Sequence, residues 1–234
     1  MKKTAIILLV CMLTALCSHA FAASITVLSQ NEYVCSDFDT SSYGRIYAEV
    51  RNDGSEPVNL SKFCDVRFYD KQGNVMTEYT DRYCSPSNLQ PGEIGYISQE
   101  VYLIAASSEV GKGELVVHPE KAEATEYATT RTPLVASLDL DALEAADGED
   151  CYIFLEVVND TDELMGEFSL AAALWNQDNE IMYAYSGYMS ALVPPGEKGY
   201  VRMELPFALV EAWREAGHVP TYLDCFSYES RKLN

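Results

Sequence analysis

Histidine, tryptophan and positive charge are scarce in this chain: three histidines, two tryptophans, and 16 Lys plus Arg against 36 Asp plus Glu in 234 residues. Metal-ligand spacings such as C-x-x-C and H-x-x-x-H are absent, and so are the G-x-S-x-G nucleophile turn and any glycine-rich phosphate loop. These gaps argue against a zinc site, a serine hydrolase and a nucleotide enzyme. The formal net charge of −20 argues against nucleic acid or anionic lipid as partner, because such a surface repels phosphate. Its plain reading is a solubility charge spread over an exported protein. Past the N-terminal segment no apolar run is long enough to span a bilayer.

The start of the chain predicts export. Lys2 and Lys3 form a positive n-region, Ala5 to Cys17 an apolar stretch too short to cross a membrane, and Ala20-Phe21-Ala22 a small-x-small site. A signal peptide over residues 1–22 is expected, with a secreted product, periplasmic if the source has an outer membrane. A lipid anchor on Cys17 is disfavoured by the large Leu16 before it. Without residues 1–22 the chain keeps 14 basic and 36 acidic residues, a net of −22.

The rest of the chain says nearly the same thing twice. Tyr47-Ala48-Glu49-Val50-Arg51-Asn52 matches Phe154-Leu155-Glu156-Val157-Val158-Asn159 at an offset of 107. Met76/Met182 and Tyr79/Tyr185 follow at 106, then Pro91/Pro195, Glu100/Glu204 and Gly113/Gly217 at 104. An offset drifting in small steps marks a duplicated domain rather than a solenoid. The expected organisation is a domain over 23–118, a linker rich in Ala, Thr and Glu over 119–133, and a second domain over 134–234.

Each copy reads as short strands and polar turns. Ile46, Ala48 and Val50 alternate toward one face before Asn52-Asp53-Gly54, and Asp70 to Asn74 reads as a hairpin connection. Pro91-Gly92 and Pro195-Gly196 supply the fixed and the positive φ of a tight turn. In copy two, Pro206, then Phe207, Val210 and Trp213 at helical spacing, then Gly217, predict a short helix; Leu103 to Gly111 is its weaker counterpart. The predicted fold class is all-β: two tandem immunoglobulin-like β-sandwiches, with room for a short helix before the last strand of each.

Val66-Arg67-Phe68-Tyr69-Asp70 followed by Gly73, with Glu49-Val50-Arg51-Asn52 upstream and Pro91-Gly92-Glu93 downstream, resembles the FxLYD domains, small immunoglobulin-like sandwiches of secreted and cell-surface bacterial proteins. Copy two keeps Glu156-Val157-Val158-Asn159 and Pro195-Gly196-Glu197 but has Leu174-Trp175-Asn176 at the motif itself. The resemblance implies fold and location and brings no catalytic residues, so no enzyme activity and no cofactor is expected.

The candidate sites are few. His118 and His218 each follow an element end without a ligand partner and read as ordinary surface residues. The acidic clusters at 139–141, 147–150 and 160–163 lack the spaced calcium loop and read as solvated turns. Tyr79 and Tyr83, with Tyr183, Tyr185 and Tyr188, form a possible aromatic platform for glycan or peptide; packing across the sandwich or shielding of an edge strand is the favoured alternative. Five cysteines remain after residue 22. Cys151 with Cys225 would close a loop of 74 residues, worth ~4 kcal/mol on the chain-entropy estimate. Cys64 with Cys84 is the second expected pair and leaves Cys35 odd; Cys35 with Cys84 is its competitor. The functional expectation is a non-catalytic binding or spacer module that contacts protein or glycan outside the cell. An extracellular hydrolase and a calcium-stabilised adhesion fragment are the alternatives.

Overall fold

The computed structural model describes residues 24–38, 40–80, 84–135, 151–160, 162–190 and 192–232. The expected leader, Tyr83 and the acidic clusters at 139–141 and 147–150 lie outside them. In unit 1, strands β1 (Ile25–Phe38), β2 (Ser41–Asn52), β8 (Ile94–Leu103) and β6 (Cys84–Ser85) form one antiparallel sheet in the order β1-β2-β8-β6. Strands β5 (Val75–Tyr79), β4 (Cys64–Asp70) and β9 (Val110–Val117) form the second. A small third sheet joins β3 (Val58–Asn59) to β7 (Asn88–Leu89) and β10 (Glu123–Ala124). The period of two explains the core: Ile46, Ala48 and Val50 of β2 meet Cys64, Val66 and Phe68 of β4, all buried in one cluster.

Unit 2 repeats the pairing. Strands β12 (Cys151–Val158) and β15 (Lys198–Leu205) correspond to β2 and β8. Strands β14 (Ile181–Met189), β13 (Phe168–Trp175) and β16 (Tyr222–Lys232) correspond to β5, β4 and β9. The fold is all-β and sandwich-like, as the strand spacing predicts. Helix α1 (Phe207–Ala216) falls where expected. Gly217 sits at φ 70 and donates to the Arg214 carbonyl at 3.1 Å, while His218 N–H reaches the Trp213 carbonyl at 2.8 Å, a Schellman end that only the positive φ allows. Its counterpart in unit 1 is a single 3-10 turn, Ser107–Glu109.

That difference corrects one sequence match. Gly113 lies in β9 opposite Phe68, and the residue opposite Leu174 in unit 2 is Leu223, not Gly217. The longer helix displaces the following strand, so the offset of 104 does not hold beyond it. Gly113 and Gly44 leave room for the Phe68 ring, since a Cβ on either would come within 2.7 Å or 2.4 Å of it.

Two side-chain clamps survive in both units. Asn52, fully buried, donates to the Glu56 and Leu89 carbonyls at 2.9 and 3.0 Å; Asn159 donates to those of Glu163 and Val193 at 2.8 Å each. In the hairpins, the Asp70 carboxylate accepts from the Gln72 and Asn74 amides, and the Asn176 amide oxygen accepts from those of Asp178 and Glu180. Asp70 and Asn176 therefore do the same backbone work. The differences that remain in the motif are Phe68 against Leu174 and Tyr69 against Trp175.

The segment 119–133 is not plain coil. It gives β10 to unit 1 and β11 (Tyr127–Pro133) to unit 2, where β11 pairs with β16 along its whole length. The two units then pack sheet on sheet. The outer face of β2 and β8 lies against β13, β14 and β16, so Tyr47 and Tyr96 are buried in the same cluster as Trp175, Tyr183 and Trp213. Strand β13, with Ala171, Ala172, Ala173 and Leu174 all buried, is covered on both faces.

Candidate binding surfaces

The interface between the units is aromatic with a few polar pins. The Tyr47 and Tyr183 ring centroids lie 5.0 Å apart, and Tyr96 packs on Phe226 at 5.8 Å. The Tyr96 hydroxyl donates to Asp224 Oδ2 at 2.8 Å. Ser85 donates to Ser186 at 2.7 Å, and the Ile181 amide to Ser29 Oγ at 3.0 Å. From β11, the Arg131 guanidinium covers the Phe226 ring at 4.6 Å and donates to the Ile94 carbonyl, touching both units. Burial lifts the Tyr47 phenol far above its usual range and raises Tyr33 to about 12, so both stay neutral.

A groove of about 390 Å³ runs along one rim of this interface, lined by Leu28, Glu49, Trp175, Tyr222 and Asp224 among others. Trp175 and Tyr222 stack at 5.9 Å with ring planes 6° apart. Burial, and then the nearby Asp224 carboxylate, raise the Glu49 carboxyl above its ordinary value. Ser29, also in the groove, has its hydroxyl oxygen engaged as acceptor from the Ile181 amide at 3.0 Å.

A larger cleft of about 770 Å³ opens at the end of unit 1, between the β4–β5 hairpin and the end of β8. Asp70, Lys71, Val75, Met76 and Thr77 form one wall; Tyr102, Ile104, Ser108 and Glu109 belong to the other. Ile104 is 92% exposed, and Val75 and Tyr102 are about half exposed, a grouping of apolar surface that water does not favour. Strand β8 pairs with β2 along nearly its full length; on its other edge, among the described residues, Tyr96 and Ile97 pair with β6. Unit 2 shows why the cleft exists. There the tyrosines of β14 bond the neighbouring strand edge, Tyr183 donating to the Glu204 carbonyl at 2.8 Å and Tyr185 to that of Arg202 at 3.3 Å, and the start of α1 stands where the cleft has its far wall. In unit 1 the residue matching Tyr183 is Thr77, too short to reach β8, and the helix beside it has shrunk to one turn.

The tyrosines expected to form one platform are thus divided. Tyr183 and Tyr185 seal an edge, Tyr188 is exposed with its hydroxyl bonded to Glu167 at 2.5 Å, and Tyr79 lies in the other unit, on β5. Tyr83 lies outside the described residues. Cys64 and Cys84 are buried in the core of unit 1, and burial, then the neighbouring Cys64, push the Cys84 thiol up. Cys35 is buried at the interface and donates to the Ala208 carbonyl at 3.5 Å. Cys225 is buried in unit 2, its thiol raised to about 12 by burial, and Cys151 opens β12 opposite Leu205. The Cys151 side chain lies outside the described part of the structure.

His118, expected as an ordinary surface residue, is held by Asp65 at 2.6 Å and Glu120 at 3.4 Å. Asp65 is buried and lies within 4 Å of Arg67 and Lys121 as well, so the cluster fastens the crossing after β9. Its partner lies 53 residues away in sequence, which no local pattern signals. His118 meets carboxylates alone among the described residues, and His218 ends α1 in an exposed position. Among the described residues no group of three or more His, Cys, Asp or Glu is placed to hold a metal ion. No helix among them is long and apolar enough to cross a membrane.

No family model and no curated protein matches this chain. Solved structures give distant likenesses. A calcium-binding mutant of β-glucuronidase 2 of Bacteroides uniformis is 12% identical, with 76% of this chain covered, 23% of that one, and a TM-score of 0.19. The transglutaminase of red sea bream is 10% identical, with 91% and 31% covered and a TM-score of 0.19. The T=1 particle of infectious bursal virus is 10% identical, with 91% and 65% covered and a TM-score of 0.17. The chain spans less than a third of the first two proteins' length, and at these scores none of the three carries an argument about fold or role.

Proposed function

We propose that the protein is an exported, non-catalytic binding module of tandem FxLYD-like domains, and that the unit 1 cleft takes an extended segment of a partner protein. The observation that supports this is the difference between the copies. In unit 2 two phenol hydroxyls bond the β15 edge, whereas unit 1 has Thr77 in place of the first of them, beside a cleft and a β8 edge that, among the described residues, pairs with β6 at Tyr96 and Ile97. An extended chain lying there adds main-chain hydrogen bonds to β8 and side-chain contact with Val75, Tyr102 and Ile104. A glycan would use Tyr102 alone as a stacking surface, which makes the polypeptide the better fit.

The variant that tests this is Thr77→Tyr, which restores the group unit 2 uses as a seal. A library of displayed extended peptides and a glycan array are presented to the parent and to the variant. Capture of peptides by the parent, lost in Thr77→Tyr at unchanged melting temperature, supports the reading. Capture that survives Thr77→Tyr, or binding to glycans instead, overturns it.

A further inference from the structure

The outer face of β12 and β15 is the counterpart, residue by residue, of the face that unit 1 buries against unit 2. By the repeat and the strand register, Phe154 stands for Tyr47, Tyr200 for Tyr96, Glu156 for Glu49 and Tyr152 for Arg45. Tyr47 and Tyr96 are 3% and 2% exposed, covered by the sheet of β13, β14 and β16. Phe154 and Tyr200 are 57% and 60% exposed, and Tyr152 beside them is 39% exposed. Duplication has thus left one aromatic sheet face closed and its twin open.

The open face is balanced in charge although the molecule as a whole is acidic. Lys198 pairs with Glu156 at 2.6 Å, the Tyr200 hydroxyl donates to the same carboxylate at 3.2 Å, and Arg202 lies over the Tyr152 ring at 4.5 Å. With Glu204 opposite Tyr152, two cations balance two carboxylates. Two copies of a chain with net charge −20 repel on the whole, and a face with balanced charge lessens that cost where they meet.

We propose that this face is where two copies of the chain associate about a twofold axis. Along β15 the outward residues run Lys198, Tyr200, Arg202, Glu204. An axis across the strands reverses that order in the second copy, setting Lys198 over its Glu204 and Arg202 over its Tyr200, with the two Phe154 rings near the axis. Each charge on β15 then meets an opposite charge or, for Arg202, an aromatic face. A face of two eight-residue strands is roughly 27 Å by 10 Å, well under the ~800 Å² per partner of a standard interface. The dimer is therefore weak, with a dissociation constant on the order of tens of micromolar. This inference does not depend on the unit 1 cleft.

Sedimentation velocity on the full chain, from about 1 to about 300 µM, reads the association. The parent is expected to shift reversibly from monomer to dimer across that range. Phe154→Glu is expected to stay monomeric at every concentration with its melting temperature unchanged, while Tyr102→Glu, in the cleft, dimerises like the parent. A parent that stays monomeric throughout overturns the proposal. So does a dimer that persists in both Phe154→Glu and Tyr200→Glu, since association would then use another surface.

Discussion

Replacing Asn52 by alanine removes three hydrogen bonds at one stroke, and their surroundings set the cost. Nδ2 serves the Leu89 carbonyl at 3.0 Å in a buried site and the Glu56 carbonyl at 2.9 Å in a partly exposed one; Oδ1 accepts from the Gly54 amide at 2.9 Å. The Leu89 carbonyl keeps no access to water, so its loss carries the full penalty of a buried unsatisfied group, roughly 1–3 kcal/mol. The other two groups reach solvent and together cost about 1 kcal/mol. The expected destabilisation is about 3 kcal/mol, a large share of a typical domain's stability of ~5–15 kcal/mol. Asn159→Ala should cost a similar amount, because its two donations, to Glu163 and Val193, are of the same length. Urea unfolding of the full chain, followed by far-ultraviolet circular dichroism, measures both. An Asn52→Ala midpoint within about 0.5 kcal/mol of the parent would refute the reasoning, for it would mean that water or a shifted side chain replaces the clamp.

Two further outcomes follow from the packing. Glu49 has its carboxyl raised by burial and by Asp224, so the folded state takes up its proton before the unfolded state does, and stability rises as pH falls from neutral toward the reference value of 4.5. The lowered carboxyls of Asp53, Asp70 and Glu156 work in the opposite sense, losing stability only at more acidic pH, so the melting temperature should peak on the mildly acidic side. Glu49→Gln should raise the neutral melting temperature and flatten the rise; an unchanged profile in a thermal scan across pH would contradict the assignment. Gly44→Ala brings a Cβ to 2.4 Å from the Phe68 ring and should cost ~1–3 kcal/mol by overpacking, and Phe68→Leu, the residue of unit 2 at this place, should recover part of that loss in the double variant. Additive losses in a urea titration would show that the ring and the glycine do not meet.

The sequence made local features plain and long-range ones obscure. Alternation at Ile46, Ala48 and Val50, the Pro91-Gly92 turn with Gly92 at φ 82, and the Gly217 helix end are each settled within a few residues, so pattern suffices. Tyr47 and Tyr96 sit on the face that alternation assigns to solvent, and only the second unit buries them. Strand β13 carried the one hint, a near-continuous apolar run that marks a strand covered on both sides. Strand β11 hides in Ala- and Thr-rich sequence because its partner β16 begins about ninety residues later. The cleft was legible only by subtraction: Thr77 where unit 2 has Tyr183 is visible in the aligned repeats, but its consequence requires knowing that the tyrosine seals an edge.

The central claim is asymmetry between two copies of one design: an aromatic face closed in unit 1, and a cleft open there that unit 2 seals. Tyrosine nitration of the native full chain, mapped by mass spectrometry, reads both at once. The account predicts fast modification of Tyr102 and Tyr188, which are 52% and 58% exposed, and protection of Tyr47, Tyr96 and Tyr183, none above 8%. Modification of Tyr47 and Tyr96 at the rate of Tyr102 would contradict it, because the two units would then not be packed face to face.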